Sequence, residues 1–358
     1  MKFASIDIGS NAVRLLFCNV LEDKGKVVFK KAELIRIPLR LGEDAFLRKK
    51  ITKQKADRLV TTMKAFKHLI SVHDVVDYRA CATAALRTAS NSEEIIKRIR
   101  REAGLPVTII DGKTEASIIY ANHAEENLEH DASYMYVDIG GGSTEITLIS
   151  KGKCVASRSF NIGTILLLYN KVEKKYWLEF RQWIKDISES KPGITAIGSG
   201  GNINKLYKMS DRKGNKPLPY KKLKLITAKI ESYSPKDRVS ILGLNPDRAD
   251  VIVPAAKILL AIMKSARIQK IIVPEIGLSD GIVRGLYAEF KKRKVKSKKL
   301  VSFSLILYSV TFPLIFLNHF FAHFHSLILP QGFLNFIHSN LPFLWRHSNK
   351  LFQIRNFF

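Results

Sequence analysis

One pattern occurs twice in this chain, and it restricts the fold more than any other feature. Phe3-Ala4-Ser5-Ile6-Asp7-Ile8-Gly9-Ser10 is followed by Val13-Arg14-Leu15-Leu16-Phe17. Tyr136-Val137-Asp138-Ile139-Gly140-Gly141-Gly142-Ser143 is followed by Thr144-Glu145-Ile146-Thr147-Leu148-Ile149. Each copy predicts an apolar strand, an Asp near its end, a tight Gly/Ser turn and a second strand. An Asp within a buried strand is costly unless it meets a cation or a donor. Glycine just beyond it lets backbone amides approach an anion. Each copy opens about half of the chain, which predicts duplicated domains facing one cleft.

The remaining pattern alternates helix and strand. In the first half, Ile51–His73 reads as helix, Asp77–Thr83 as a short buried strand, and Ser90-x-x-Glu93 as a capping box opening a helix to Arg101. Leu105–Ile110 reads as strand and Gly112–Glu126 as helix. In the second half, Lys153–Phe160 and Ile194–Ile197 read as strands, and the glycine turn Gly198-Ser199-Gly200-Gly201 leads into a helix. Pro246–Arg267 reads as helix, Ile271–Pro274 as strand, and a last helix begins near Ser279. The order is α/β in both halves.

A length of 358 residues is ample for two domains with separate cores. The 59 Lys and Arg against 32 Asp and Glu give a net charge of +27, which points to polyanionic partners without choosing among them. Cys18, Cys81 and Cys154 are far apart with no CxxC, so buried thiols in a reducing cytoplasm are expected. Met1-Lys2-Phe3 runs straight into a strand pattern, which predicts no secretory signal. Beyond residue 290 the composition changes. A basic linker covers 291–299, and an apolar tail covers 300–358 with no Asp, Glu, Lys or Arg between Leu300 and Trp345. Leu300–Leu317 is about the shortest stretch that would span a bilayer. Pro313 interrupts it, so an accessory tail is favoured over a membrane anchor.

Five segments place glycines, carboxylates or an arginine at predicted strand ends, where open α/β sheets bind ligands. Asp7 is a candidate metal ligand, with the amides around Gly9, Ser10 and Asn11 facing a phosphate. Gly140 to Ser143, including Gly141 and Gly142, offers the same from the opposite wall, with Asp138 and Glu145 as further metal or water partners. Gly198, Ser199, Gly200 and Gly201 form a third anion seat before a helix. Arg87 suits bidentate phosphate contact, although its segment alone equally allows a surface arginine. Glu115, at a first helical turn, would in isolation only complement the helix dipole.

Together these segments resemble the exopolyphosphatase/guanosine pentaphosphate phosphohydrolase (Ppx/GppA) family of the actin, sugar-kinase and heat-shock-ATPase superfamily. The resemblance rests on Asp7-Ile8-Gly9-Ser10-Asn11 with Arg14-Leu15, Thr83-Ala84-Ala85-Leu86-Arg87, Asp111-Gly112-Lys113-Thr114-Glu115-Ala116, Asp138-Ile139-Gly140-Gly141-Gly142-Ser143-Thr144-Glu145 and Leu278-Ser279-Asp280-Gly281. It covers roughly residues 1–290. It implies an α/β fold of two RNase-H-like (actin-like ATPase) domains flanking a cleft, residues 1–124 and 125–290, often as a homodimer, with Mg²⁺ in the active form. It further implies that Glu115 is the catalytic glutamate. Asp138 and Glu145 would bind Mg²⁺ and help place the water, and Arg87 and the glycine turns would contact phosphate. Two positions depart from the family pattern: Thr114 where a second Glu is usual, and Asn202 where Thr is common.

The expected function is release of terminal orthophosphate from polyphosphate, or alternatively 5′-phosphohydrolysis of guanosine pentaphosphate, by metal-assisted attack of water. No specific nucleic-acid partner is expected. A kinase of the same superfamily is disfavoured because the short second half leaves little room for adenosine and sugar sites. A non-catalytic polyphosphate or (p)ppGpp sensor is disfavoured because it needs no water-activating base such as Glu115.

Overall fold

Strands β1 (Lys2–Ile8), β2 (Val13–Asp23) and β3 (Lys26–Ile37) form an antiparallel meander. On the far side of β1, β4 (Asp77–Ala82) and β5 (Val107–Ile109) add in parallel, giving the order β3-β2-β1-β4-β5. The second half repeats the plan. An antiparallel meander of β6 (Ser133–Ile139), β7 (Thr144–Ser150) and β8 (Lys153–Phe160) is extended in parallel from β6 by β9 (Thr195–Ser199). With β10 (Leu218–Pro219) and β11 (Lys270–Ile272) the order is β10-β11-β9-β6-β7-β8. Two mixed sheets with helices therefore make up an α/β fold. This computed structural model describes residues 1–121, 129, 131–189, 191, 193–212 and 216–295.

β1 and β6 are central strands, and their apolar composition reflects burial on both faces. Along β1 the side chains alternate. Ala4, Ile6 and Ile8 enter one core with Leu59, Met63 and Phe66 of the helix Lys53–Val72, and Phe3 enters another. Along β6, Met135, Val137 and Ile139 enter the large second-half core, while Tyr134 and Tyr136 face the opposite side. Fully burying each such side chain is worth about 1.5–3 kcal/mol. Both Asp7 and Asp138 occupy the face opposite the larger core, at the penultimate strand position. β3, a sheet edge, carries Lys26, Lys30 and Lys31, charges that discourage pairing with another chain.

The chain separates into compact units at Phe290/Lys291. Within 1–290, the helix over 278–290 lies in the second half of the sequence yet packs on the first sheet. Leu278, Ile282, Val283, Leu286 and Tyr287 form a helical stripe against Phe3, Leu16 and Val20. Residues 291–295 are helical; the rest of the basic linker and the apolar tail, 296–358, lie outside the described residues. Among the described residues, no helix is long and apolar enough to cross a membrane.

Some elements differ from expectation for local reasons. The helix expected from Ser90 begins at Ser92, with Asn91 as its N-cap and Gly104 closing it at φ 63°. No capping box forms, because the Asn91 side chain bonds the backbone of Ile51 instead, accepting from its N–H and donating to its carbonyl. The expected helix Pro246–Arg267 is broken into Pro246–Ala249 and Ile252–Ser265. The described part of the helix carrying Glu115 is Gly112–Ala121; residues 122–126 of its expected range lie outside the described residues.

Candidate active site

The two repeated strand corners have the same construction. Gly9 N–H donates to Ala12 O at 3.2 Å, and Gly140 N–H donates to Ser143 O at 2.9 Å. They also meet: a Cβ added to Gly141 would lie 2.7 Å from Ser10 Cβ, so glycine permits one corner to rest on the other. A third turn completes the arrangement. Gly200 has φ +99°, and a Cβ there would lie 2.6 Å from Asp138 Oδ1, so both conformation and clearance demand glycine. Gly200 also caps the helix Gly201–Lys208.

These corners open onto a cleft of about 390 Å³ lined by Asp7, Gly9, Ser10, Asn11, Glu115 and Asp138, with Gly140, Gly141, Ser143, Gly200 and Gly201 completing its floor. At one end, carboxylate oxygens of Glu115, Asp138 and Glu145 all lie within 4.8 Å of one another. Glu145 is cross-strand partner to Asp138, and Ser159 Oγ on β8 donates to Glu145 Oε1 at 2.8 Å. Crowding of like charge and loss of water raise all three carboxyls. Burial, then Glu145 and Asp138, hold Glu115 well above the usual carboxylate range. Burial, then Asp138, push Glu145 up to about 7. Desolvation raises Asp138, and Asp7 adds to it. Three clustered oxygen donors, offset in part by Arg87 beside Glu115, suit a hard divalent cation such as Mg²⁺.

Asp7 is placed differently from its expected metal role. Arg14, its cross-strand partner, donates from Nη1 to Asp7 Oδ2 at 2.6 Å, and the carboxylate cluster contains Glu115 rather than Asp7. Arg87 does not line the cleft. The short helix Ala84–Thr88 turns its guanidinium onto Ile110 O at 2.6 Å and Glu115 Oε2 at 3.4 Å. Gly142 lies beneath the Phe46 ring, and Gly198 beneath Ile271 and Ile203, so close packing explains both glycines. Ser199 lies on β9 opposite Asp138 and is buried. Asn11 directs its side-chain amide to Asp247, at 3.0 Å to the carbonyl and 3.1 Å to Oδ2.

The cleft is also lined by basic side chains that were not among the expected sites: Arg14, Lys31, Arg36, Lys205, Lys208 and Arg248. Lys31 is paired to Asp280 and Lys208 to Glu275 within the same lining. Arg14 and Arg36 are cross-strand neighbours on β2 and β3. Arg248 donates to Gly201 O at 2.7 Å; burial, then Arg36 and Arg14, lower its guanidinium to about 10. The hairpin register would have signalled Arg14, which stands seven residues after Asp7 as Glu145 does after Asp138. Arg36 and Arg248 converge only through tertiary packing and had no sequence signal.

Residues 23–290 match the Ppx/GppA phosphatase family. The chain is 27% identical over 288 residues to the bifunctional 3-dehydroquinate synthase/phosphatase of Fusobacterium nucleatum, covering 73% of this chain and 43% of that protein. It is 24% identical over 310 residues to exopolyphosphatase 1 of Mycobacterium tuberculosis, covering 79% of this chain and 87% of that one. The crystal structure of the Aquifex aeolicus Ppx/GppA family member superposes with a TM-score of 0.65 at 27% identity, covering 81% of this chain and 98% of that one. This chain belongs to the Ppx/GppA phosphatase family.

Proposed function

We propose that this chain is a Mg²⁺-dependent phosphohydrolase that releases terminal orthophosphate from inorganic polyphosphate. The carrying observation is a cleft bordered by Glu115 and Asp138 of a carboxylate trio and lined by six basic side chains, two of them paired with Asp280 and Glu275. A linear inorganic polyanion suits that lining better than a nucleotide does. Among the described residues, the cleft lining contains no aromatic side chain on which a base would stack. The name of the mycobacterial relative points to the same substrate class. Residues 1–124 and 125–290 act in this reading as two RNase-H-like domains sharing the site. The family resemblance extends the reading to a cytoplasmic homodimer.

Asp138 and Glu145 would hold Mg²⁺, with Glu115 within reach of the same ion. When bound, the cation offsets charge on the terminal phosphoryl group. The amides of the glycine corners and Arg14 and Arg248 fix that group. Glu115, made more basic by its burial, accepts a proton from the attacking water. Water oxygen bonds to phosphorus as the bridging P–O bond breaks, and the shortened chain leaves with that bridging oxygen. Ser159 keeps the Glu145 carboxylate turned toward the site. Arg87, bonded to Glu115, orients that base rather than touching phosphate.

The test is phosphate release by the full chain from long polyphosphate, tripolyphosphate and pppGpp in parallel, with Mg²⁺ and with excess EDTA. Release from the inorganic chains in Mg²⁺ alone is expected. Faster release from pppGpp would reassign the substrate, and tight binding without release would make the protein a sensor.

A further inference from the structure

A row of charges crosses three strands at one level beside the cleft. Asp7 on β1 is opposite Arg14 on β2, and Arg14 is opposite Arg36 on β3. Adjacent like charges repel. Asp7 compensates Arg14 on one side. On the other, Arg36 is met by Asp247 from the short helix Pro246–Ala249, with Arg36 Nη1 donating to Oδ1 at 3.2 Å and Nη2 donating to Oδ2.

Asp247 lies behind the wall: it is 8% exposed and does not line the cleft, whereas Arg36, Asn11 and Arg248 do. Its carboxylate accepts from Arg36 and Asn11 together, so it occupies, for those two donors, the position of a ligand oxyanion. Burial opposes ionisation of Asp247, and Arg36 outweighs it, holding the carboxyl below its usual range. Arg36 Nε is buried without a hydrogen-bond partner among the described residues, so the pairing leaves the guanidinium incompletely satisfied. Among these groups, Arg14, Arg36 and Arg248 against Asp7 and Asp247 leave one net positive charge.

We propose that Asp247 is a specificity-determining residue, a resident counter-ion that competes with substrate oxygens for Arg36 and so sets the charge density a ligand needs to bind. This rests on the reading of the cleft as a polyanion site. A weakly charged ester or a solvent anion does not displace a buried carboxylate from a two-pronged arginine pair, whereas a condensed phosphate chain presents enough oxygens to do so. Specificity is thus obtained by a built-in competitor as well as by attraction.

The experiment is calorimetric titration of tripolyphosphate into four full-length proteins in EDTA: wild type, Asp247→Asn, Arg36→Gln and the double variant. Removing one negative charge beside the site should tighten binding by Asp247→Asn about tenfold. It should also steepen the salt dependence of binding and, in separate assays with Mg²⁺, lower KM by more than it changes kcat. Arg36→Gln leaves a buried carboxylate unpaired against the ligand and should weaken binding about tenfold, and the double variant should return to near the wild-type value. That return serves as the test even if Asp247→Asn alone fails to fold. Unchanged or weaker binding by Asp247→Asn, or a double variant as weak as Arg36→Gln, overturns the role of Asp247 while leaving the polyanion site intact. Absence of binding by all four proteins, together with absence of phosphate release in Mg²⁺, overturns both readings.

Discussion

The two strand corners share a backbone but differ in one cross-strand residue. In the first, Asp7 faces Arg14, and an ion pair neutralises the buried carboxylate. In the second, at the identical register, Asp138 faces Glu145, and two carboxylates confront each other with Glu115 nearby. The first corner satisfies its charge within the protein and becomes a rigid anion-facing wall. The second gathers three carboxylates with Arg87 beside Glu115 as a partial offset, and on the proposed function a cation completes it. On the proposed function, one motif used twice with a single change of sign would give a scaffold corner and a reactive corner.

Glu145→Gln tests the reactive corner most severely. Without the second carboxylate the cation site loses a ligand, and phosphate release is expected to fall about 10³-fold, near the middle of the range for positioned catalytic groups. The amide still accepts from Ser159, so the fold should persist by circular dichroism. Glu115→Gln is expected to cost about 10²-fold or more in kcat. Wild-type turnover by the purified variant would remove Glu115 from the chemistry and make it a bystander of the corner.

Arg14→Gln tests the scaffold corner. It leaves Asp7 buried and unpaired, and a buried broken pair costs up to 3–5 kcal/mol. Because the Arg14 side chain is 26% exposed, about 2–3 kcal/mol is expected in urea unfolding. A neutral outcome would show that the first corner tolerates free charge as the second does. Gly200→Ala follows in size. The residue must keep φ +99° and would meet Asp138 Oδ1, so about 1–3 kcal/mol of destabilisation is expected by the same measurement.

Much of this was legible in the sequence because the motif's constraints are local. Apolar strands flanking Asp7 and Asp138, and glycines after them, specify β1, β2, β6 and β7 within a few residues. The meeting of Ser10 with Gly141 was legible only as an expectation from duplication, since no short-range pattern specifies which corners touch. Other features depend on distant partners. Arg87 turns to Ile110 O because a five-residue helix follows β4, and Arg36 meets Asp247 across 211 positions. The helix over 278–290 returns to the first sheet through a stripe that would serve equally well on either sheet. Local periodicity identifies such elements without saying what they pack against.

The gentlest comparison of the corners is the pH dependence of stability without metal. Burial and Asp138 push Glu145 up to about 7 in the fold from its ordinary value of 4.5 in the unfolded chain. A raised carboxyl binds its proton more tightly in the native state, so its contribution to stability is complete below pH 4.5 and is lost as pH rises through 7. Glu115 shifts in the same direction. In EDTA, Tm should therefore fall by roughly 5 °C between pH 5 and pH 8 from this corner. Mg²⁺ should restore it, with a larger gain at pH 8, where the carboxylates are ionised, than at pH 5. Glu145→Gln should flatten both dependences, because the remaining carboxylates no longer face a third charge. Against the burial that raises Asp138, Arg14 holds its carboxyl down, so Arg14→Gln should lower Tm and also steepen its fall toward pH 8. A slope left unchanged by Glu145→Gln would place the unsatisfied charge outside the second corner and end the division of labour between them.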